Sequence, residues 1–254
     1  MLFSLKNRVA IVTGAGSRRG IGRAIALALA EQGADVVVCD LNLEGAKETA
    51  AEVSAKGVKS AAYKVNVVDE KEITSVVQAI LDQFGKIDIL VNNAGITQPV
   101  KVLDTTEADW DRILSVNLKS TFLFSKAVTP SMIERKYGRI VNMSSVSAKR
   151  GGGVFGGAHY SAAKAGILAF SKAFTREVAP MGITINSVTP GLVATDIRGG
   201  LEDEATQMKM TADIPCRRMA YPEEIAAAVC YLASTEAAYV TGEEIDINGG
   251  SHMD

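Results

Sequence analysis

Short runs of apolar, often β-branched residues alternate along this chain with longer stretches whose apolar positions recur at helical spacing. RVAIVT (Arg8 to Thr13) and DVVVCD (Asp35 to Asp40) are near-continuous apolar runs, the pattern of strands buried on both faces. Between them, GIGRAIALALAEQG predicts a helix that ends at Gly33. The alternation continues with a helix over LEGAKETAAEVSAKG, a strand over SAAYKVNV, a helix over EKEITSVVQAILDQFG and a strand over KIDILVNNAG. A long helical stretch is predicted from Glu107 to Arg135, with a break or kink near Pro130. GRIVNMSS, ITINSVTPG and GEEIDINGG supply the remaining strands. HYSAAKAGILAFSKAF and PEEIAAAVCYLAS supply the remaining helices, the latter opening on Pro222. This order predicts an α/β fold with a doubly wound parallel sheet, in one domain spanning residues 1–254. The weakest pattern, ATDIRGGLEDEATQMKMTA (Ala194 to Ala212), is polar and broken by Gly199 and Gly200. It reads as a surface excursion or as a lid over a ligand.

Composition narrows the function classes. A hydrophobic fraction of 47% in 254 residues is enough for a sizeable core. A net charge of -2 gives no indication of a nucleic-acid partner. No uninterrupted apolar run approaches the roughly 18 residues a membrane span needs. The N-terminus enters a strand almost directly, without a basic segment, apolar stretch and cleavage site, so no signal peptide is expected. Cys39, Cys216 and Cys230 are far apart and lack CxxC spacing. Neither a disulfide framework nor a bound metal is expected, and a reducing, cytoplasmic setting fits.

Two motifs carry candidate chemistry. Tyr160 and Lys164 sit one helical turn apart on one face. A free phenol titrates near about pH 10, and a neighbouring ammonium lowers that value, which makes the phenol a usable proton donor and acceptor. The second motif is TGAGSRRGIG (Thr13 to Gly22), a glycine-rich turn after a strand and before a helix. Gly14, Gly20 and Gly22 allow a tight turn and close approach of a pyrophosphate to the helix N-terminus. Asp40, at the end of the second strand, can accept hydrogen bonds from the adenosine ribose and repel a 2′-phosphate, which favours NAD over NADP. Arg18 and Arg19 could instead pair with a 2′-phosphate. Asp40 decides, because the strand end holds it in place while the arginines lie on an adaptable loop.

TGAGSRRGIG, NNAG (Asn92 to Gly95), Asn117, NMSS (Asn142 to Ser145), YSAAK (Tyr160 to Lys164) and Pro190-Gly191 together resemble the short-chain dehydrogenase/reductase family, in order and spacing, over nearly the whole chain. The resemblance implies a Rossmann-type domain of about seven parallel strands, a nicotinamide cofactor (NAD, with NADP possible) and a tetramer or dimer, with a homotetramer expected. It implies that Tyr160 is the acid/base, that Lys164 lowers its pKa and binds the nicotinamide ribose, that Ser145 hydrogen-bonds the substrate oxygen, and that Asn117 holds a water linking Lys164 to solvent. It places Gly14, Ser17, Arg19, Gly20, Ile21, Asp40, Asn66, Val67, Asn93, Ala94 and Gly95 along the dinucleotide. Pro190, Gly191, Val193 and Thr195 fall near the nicotinamide. Three departures stand out. The glycine turn is longer than the family's usual pattern. So is the segment between Ser145 and Tyr160, which gives Ser147 the commoner distance to the tyrosine; Ser145 is preferred because the fifth strand anchors it. Asn66 stands where the family often has Asp, and its side-chain carbonyl can still accept from the adenine amino group.

The resemblance implies reversible hydride transfer between a nicotinamide and a small alcohol or carbonyl compound. The expected substrate is a secondary alcohol, a polyol or a sugar. The alternative is a 3-oxoacyl-carrier-protein reductase, which IPCRRMAYPEEIA resembles. Lys136 could dock an acidic carrier, but Met181 stands where those enzymes commonly have arginine. GGGVFGG and the Ala194 to Ala212 stretch are expected to shape the pocket. His159 either faces the substrate or is a satisfied structural histidine. A non-catalytic dinucleotide-binding regulator is the alternative of another class, disfavoured because Tyr160 and Lys164 are both present.

Overall fold

A computed structural model of the chain describes residues 2–152, 156–197 and 203–253. Seven strands form one parallel sheet in the order β3-β2-β1-β4-β5-β6-β7. They are β1 (Val9–Thr13), β2 (Asp35–Asp40), β3 (Ser60–Lys64), β4 (Ile89–Asn92), β5 (Gly138–Met143), β6 (Ile183–Pro190) and β7 (Glu244–Ile247). The order reverses between β1 and β4, which leaves a crevice beyond their carboxyl ends, the usual place for a ligand in such sheets.

Because side chains alternate across a strand, each central strand feeds two cores. Val12, Val36, Val38 and Val91 point to the layer holding α1 (Ile21–Glu31), α2 (Leu43–Ser54) and α9 (Pro222–Ala233). Val9, Ile11, Val37 and Leu90 point to the layer of α3 (Glu70–Phe84), α5 (Ser120–Glu134) and the end of α7 (Ala158–Val178). Each such buried valine, leucine or isoleucine contributes about 1.5–3 kcal/mol relative to exposure. Helix limits follow local chemistry. Asp69 caps α3 through the N–H groups of Lys71 and Glu72, and Gly85 ends it in a left-handed conformation (φ 76°).

Several boundaries differ from the sequence pattern. The third, fourth and fifth strands stop at Lys64, Asn92 and Met143, short of the ends expected from SAAYKVNV, KIDILVNNAG and GRIVNMSS. The residues beyond leave the ladder to line the crevice. The Glu107 to Arg135 stretch is not broken at Pro130, which lies inside α5. Its irregularity is a π-helical turn at Ser115–Lys119, after α4 (Glu107–Leu114). A short helix, α6 (Ser147–Arg150), follows Ser145, and α8 (Glu204–Thr211) forms within the weakest stretch, capped by Asp203. Residues 198–202 of that stretch and 153–155 of the glycine-rich segment lie outside the described residues. No helix among the described residues is long and apolar enough to cross a membrane.

Candidate active site

A cavity of about 740 Å³ opens beyond the carboxyl ends of β1, β4, β5 and β6. It runs from Asp40 and Asn66 at one end to Ser145, Tyr160 and Ile214 at the other. The structure brings nearly every sequence-predicted residue to it: Gly14, Ser17, Gly20, Ile21, Val67, Asn93, Ala94, Gly95, Asn117, Lys164, Pro190, Gly191, Val193 and Thr195 also line its wall. Arg19 does not line it; its guanidinium pairs with Asp196 at 2.7 Å.

The dinucleotide half is built by the turn after β1. Gly14 adopts φ +65°, and a Cβ there would lie 2.6 Å from the Ala94 Cα, so only glycine lets the β1 and β4 ends approach this closely. Thr13 Oγ1 accepts from the Asn93 and Ala94 backbone N–H groups at 3.0 and 3.1 Å. The Asn93 side chain donates to the Thr13 and Gly14 carbonyls at 3.0 and 2.8 Å. Asn93 is therefore a strap between β1 and β4. The longer glycine turn is held by α2, where Thr49 Oγ1 donates to the Ala15 carbonyl at 2.8 Å. Helix α1 begins after Gly20 with no side-chain cap, leaving its N-terminal N–H groups to an anion. Asp40 accepts from the Gly16 and Asn42 N–H groups, both at 2.8 Å, which pins its carboxylate at the cavity end. Asn66 Oδ1 accepts from the Val68 N–H at 3.3 Å, so that carbonyl is already partly engaged. Arg18 pairs with Glu48 at 3.0 Å.

The other half collects the titratable groups. Lys164 is 5% exposed, and its Nζ donates to the Met143 carbonyl at 2.8 Å and lies 5.7 Å from the Tyr160 ring centre. Burial lowers Lys164 to about 8. Burial pushes the Tyr160 phenol above its ordinary value, opposed by hydrogen bonding with Ser145. Burial thus acts on both groups, lowering the lysine and raising the phenol, while the Ser145 hydroxyl pulls the phenol the other way. Asn117, in the π-helical turn, donates to the Ile96 and Ile113 carbonyls, both at 2.9 Å, while its buried Oδ1 has no partner among the described residues. A Cβ on Gly95 would lie 2.7 Å from that oxygen and 3.4 Å from Lys164 Nζ. Glycine at this position therefore lets the Asn117 oxygen pack closely against the Gly95 backbone, near the lysine ammonium.

Ser145 and Ser147 both line the cavity, and the Ser147 N–H donates to Ser145 Oγ at 3.2 Å. His159 is buried and turns to Gln98 Oε1 at 3.3 Å, in keeping with a structural role. Sequence reasoning missed a buried amide network beneath the site. Asn92 donates to Asn142 Oδ1 at 2.8 Å, Asn142 to Ser171 Oγ at 2.8 Å, and Ser187 to Ser171 at 3.0 Å. The register Asn92↔Asn142↔Ser187 places these polar groups in one row across β4, β5 and β6. The paired asparagines in NNAG and NMSS were the available signal.

A nicotinamide dinucleotide fits this donor set: a glycine cradle, an uncapped helix N-terminus, a fixed carboxylate and an unsatisfied Asn117 oxygen facing one cavity. Residues 14–252 match the family model described as enoyl-(acyl carrier protein) reductase. The chain is 45% identical over 249 residues to an uncharacterised short-chain type dehydrogenase/reductase of Sinorhizobium fredii, covering 97% of this chain and 98% of that one. It is 44% identical over 251 residues to the 3-oxoacyl-[acyl-carrier-protein] reductase of Vibrio cholerae, covering 99% and 100%. The crystal structure of a protein described as a short-chain alcohol dehydrogenase from Sinorhizobium meliloti superposes with a TM-score of 0.92 at 38% identity, covering 99% of this chain and 98% of that one.

Proposed function

The chain belongs to the short-chain dehydrogenase/reductase family, nicotinamide-dependent oxidoreductases acting on CH–OH or keto groups, and from that premise we propose that it interconverts a secondary alcohol and its ketone with NAD, using Tyr160 as the acid/base. The observation that carries this reading is the meeting of Tyr160, Ser145, Lys164 and Asn117 in the cavity that also holds Asp40 and the glycine turn. The bound cofactor supplies the hydride acceptor or donor. In oxidation, Tyr160 Oη takes the proton of the alcohol; in reduction, it returns that proton to the developing alkoxide. Ser145 Oγ, oriented by the Ser147 N–H, hydrogen-bonds the same substrate oxygen. Asn117 Oδ1, without a hydrogen-bond partner among the described residues, holds a water that links Lys164 to solvent and gives the phenol a route for its proton.

NAD is favoured over NADP on three grounds. Asp40 stands at the adenosine end, Arg18 is paired with Glu48, and Arg19 is paired with Asp196. Both arginines are thereby occupied rather than offered to a 2′-phosphate. Leu192, Ile197, Met210 and Ile214 make the wall of the substrate half apolar, which suits a compound with a hydrocarbon body better than a polyol or sugar. The 3-oxoacyl-carrier-protein reductase named among the relatives is the second reading, favoured by the same apolar wall. One unit spanning 1–254, working in the cytoplasm with its three cysteines free, completes the proposal.

The experiment is Tyr160→Phe. Turnover should fall by at least about 100-fold, the scale of losing a positioned acid/base, while dinucleotide affinity stays within about twofold. It is read as nicotinamide absorbance across secondary alcohols, polyols, ketones and acyl thioesters, beside calorimetric NAD binding. Turnover retained near the wild-type rate would remove Tyr160 from the role.

A further inference from the structure

We propose that Arg150 is the anion-recognition residue of the substrate pocket, so that the alcohol or ketone turned over carries a carboxylate or phosphate group. This rests on the hydride-transfer reading above and adds to it the charge of the substrate.

Arg150 ends α6, the short helix that follows Ser145. That helix is fixed in place. The Ser147 N–H reaches Ser145 Oγ, and Lys149 pairs with Asp246 and Glu244 of β7 at 3.0 and 3.4 Å. Arg150 therefore leaves a rigid mount one turn from the serine. Its Nη1 donates to the Ser251 carbonyl at 3.3 Å, and the residue lines the cavity together with Ser145 and Tyr160. A guanidinium has five donors, and this contact leaves most of the fork unspent. Arg18, Arg19, Arg23 and Arg218 each hold a carboxylate; Arg150 has no carboxylate partner among the described residues. Lys209 of α8 adds a second cation to the cavity lining, where the carboxylates are Asp40 at the adenosine end, Asp196 paired with Arg19, and Asp213 beside the apolar Met210 and Ile214. A guanidinium held at the rim of a partly dry pocket matches a carboxylate or phosphate by two parallel hydrogen bonds. Arg150 also lies in the segment that departs in length from the family's usual pattern, apart from the shared acid/base motif.

The test uses unreactive ligands, so it does not depend on turnover. Calorimetry on the NAD-saturated protein compares butanoate with butanamide, and phosphopantetheine with pantetheine. In at least one pair the charged member should bind about 10-fold or more tightly to the wild type, the scale of a charge-assisted hydrogen bond. The pair that responds tells a free carboxylate from the phosphate of a thioester carrier. Arg150→Gln should abolish that preference, Arg150→Lys should restore part of it, and NAD affinity should be unchanged in both. Equal affinity within both pairs for the wild type, or a preference that survives in Arg150→Gln, overturns the proposal. Failure of the Tyr160→Phe prediction with this preference intact would remove the acid/base assignment and leave the anion site standing.

Discussion

Lys164 and Tyr160 share one helix face, and both are governed by burial. The lysine, 5% exposed, gives up its proton at about 8, and the phenol is held above its ordinary value. The sign for activity follows. Oxidation needs the phenol deprotonated, so a raised phenol leaves little of the active form at neutral pH, and the rate should climb as pH rises. Reduction needs the protonated phenol and should hold through neutral pH, then fall as the phenol ionises. Profiles of kcat/KM against pH in both directions check this, and an oxidation rate that falls from neutral to alkaline pH would contradict it. The two residues were legible in the sequence as a pair at helical spacing. The burial acting on both groups was not, because desolvation depends on what packs around the ring.

At the scale of elements, loops after different strands meet across the crevice and settle questions left open along the chain. Asp196, after β6, accepts from Arg19 Nε at 2.7 Å and from the Arg19 backbone N–H at 3.3 Å. This contact ties the turn between β1 and α1 to the loop beyond Pro190 and occupies the guanidinium. Asp196→Asn should free Arg19 and raise the use of NADP relative to NAD a few-fold, the scale of a partly exposed charge pair at about 1 kcal/mol or less. The ratio of kcat/KM for the two cofactors measures it; an unchanged ratio would remove Arg19 from cofactor choice. The pairing joins residues 19 and 196, so local pattern carries no sign of it. The π-helical turn that presents Asn117 was also hidden. Its residues have helical periodicity, and the widened turn appears only when the stretch packs against its neighbours.

At the scale of the whole molecule, the sheet buries both faces of its central strands, yet apolar side chains remain outside. Trp110 and Phe122 are 41% and 42% exposed, and Phe122 packs edge-on against Phe170 at 6.3 Å. The homotetramer expected from the resemblance would cover such side chains. The protein should therefore run as an oligomer in light scattering, and Phe122→Glu should shift it to a smaller species by placing a charge in an apolar contact. A wild-type monomer would refute the assembly, and an unshifted Phe122→Glu would move the interface elsewhere.

The order of strands and helices, the glycine turn, Asp40 and the Tyr160–Lys164 spacing were determined by the sequence alone, because each is a local pattern of burial, backbone freedom or helical period. Tertiary structure decided where the strands stop, that Asn93 and Asn92 serve as straps, and that Arg19 is spent on Asp196 while Arg150 lines the cavity without a carboxylate partner among the described residues. Each of those depends on atoms from distant segments meeting at the sheet's carboxyl edge. Distance along the chain does not record which of them will touch.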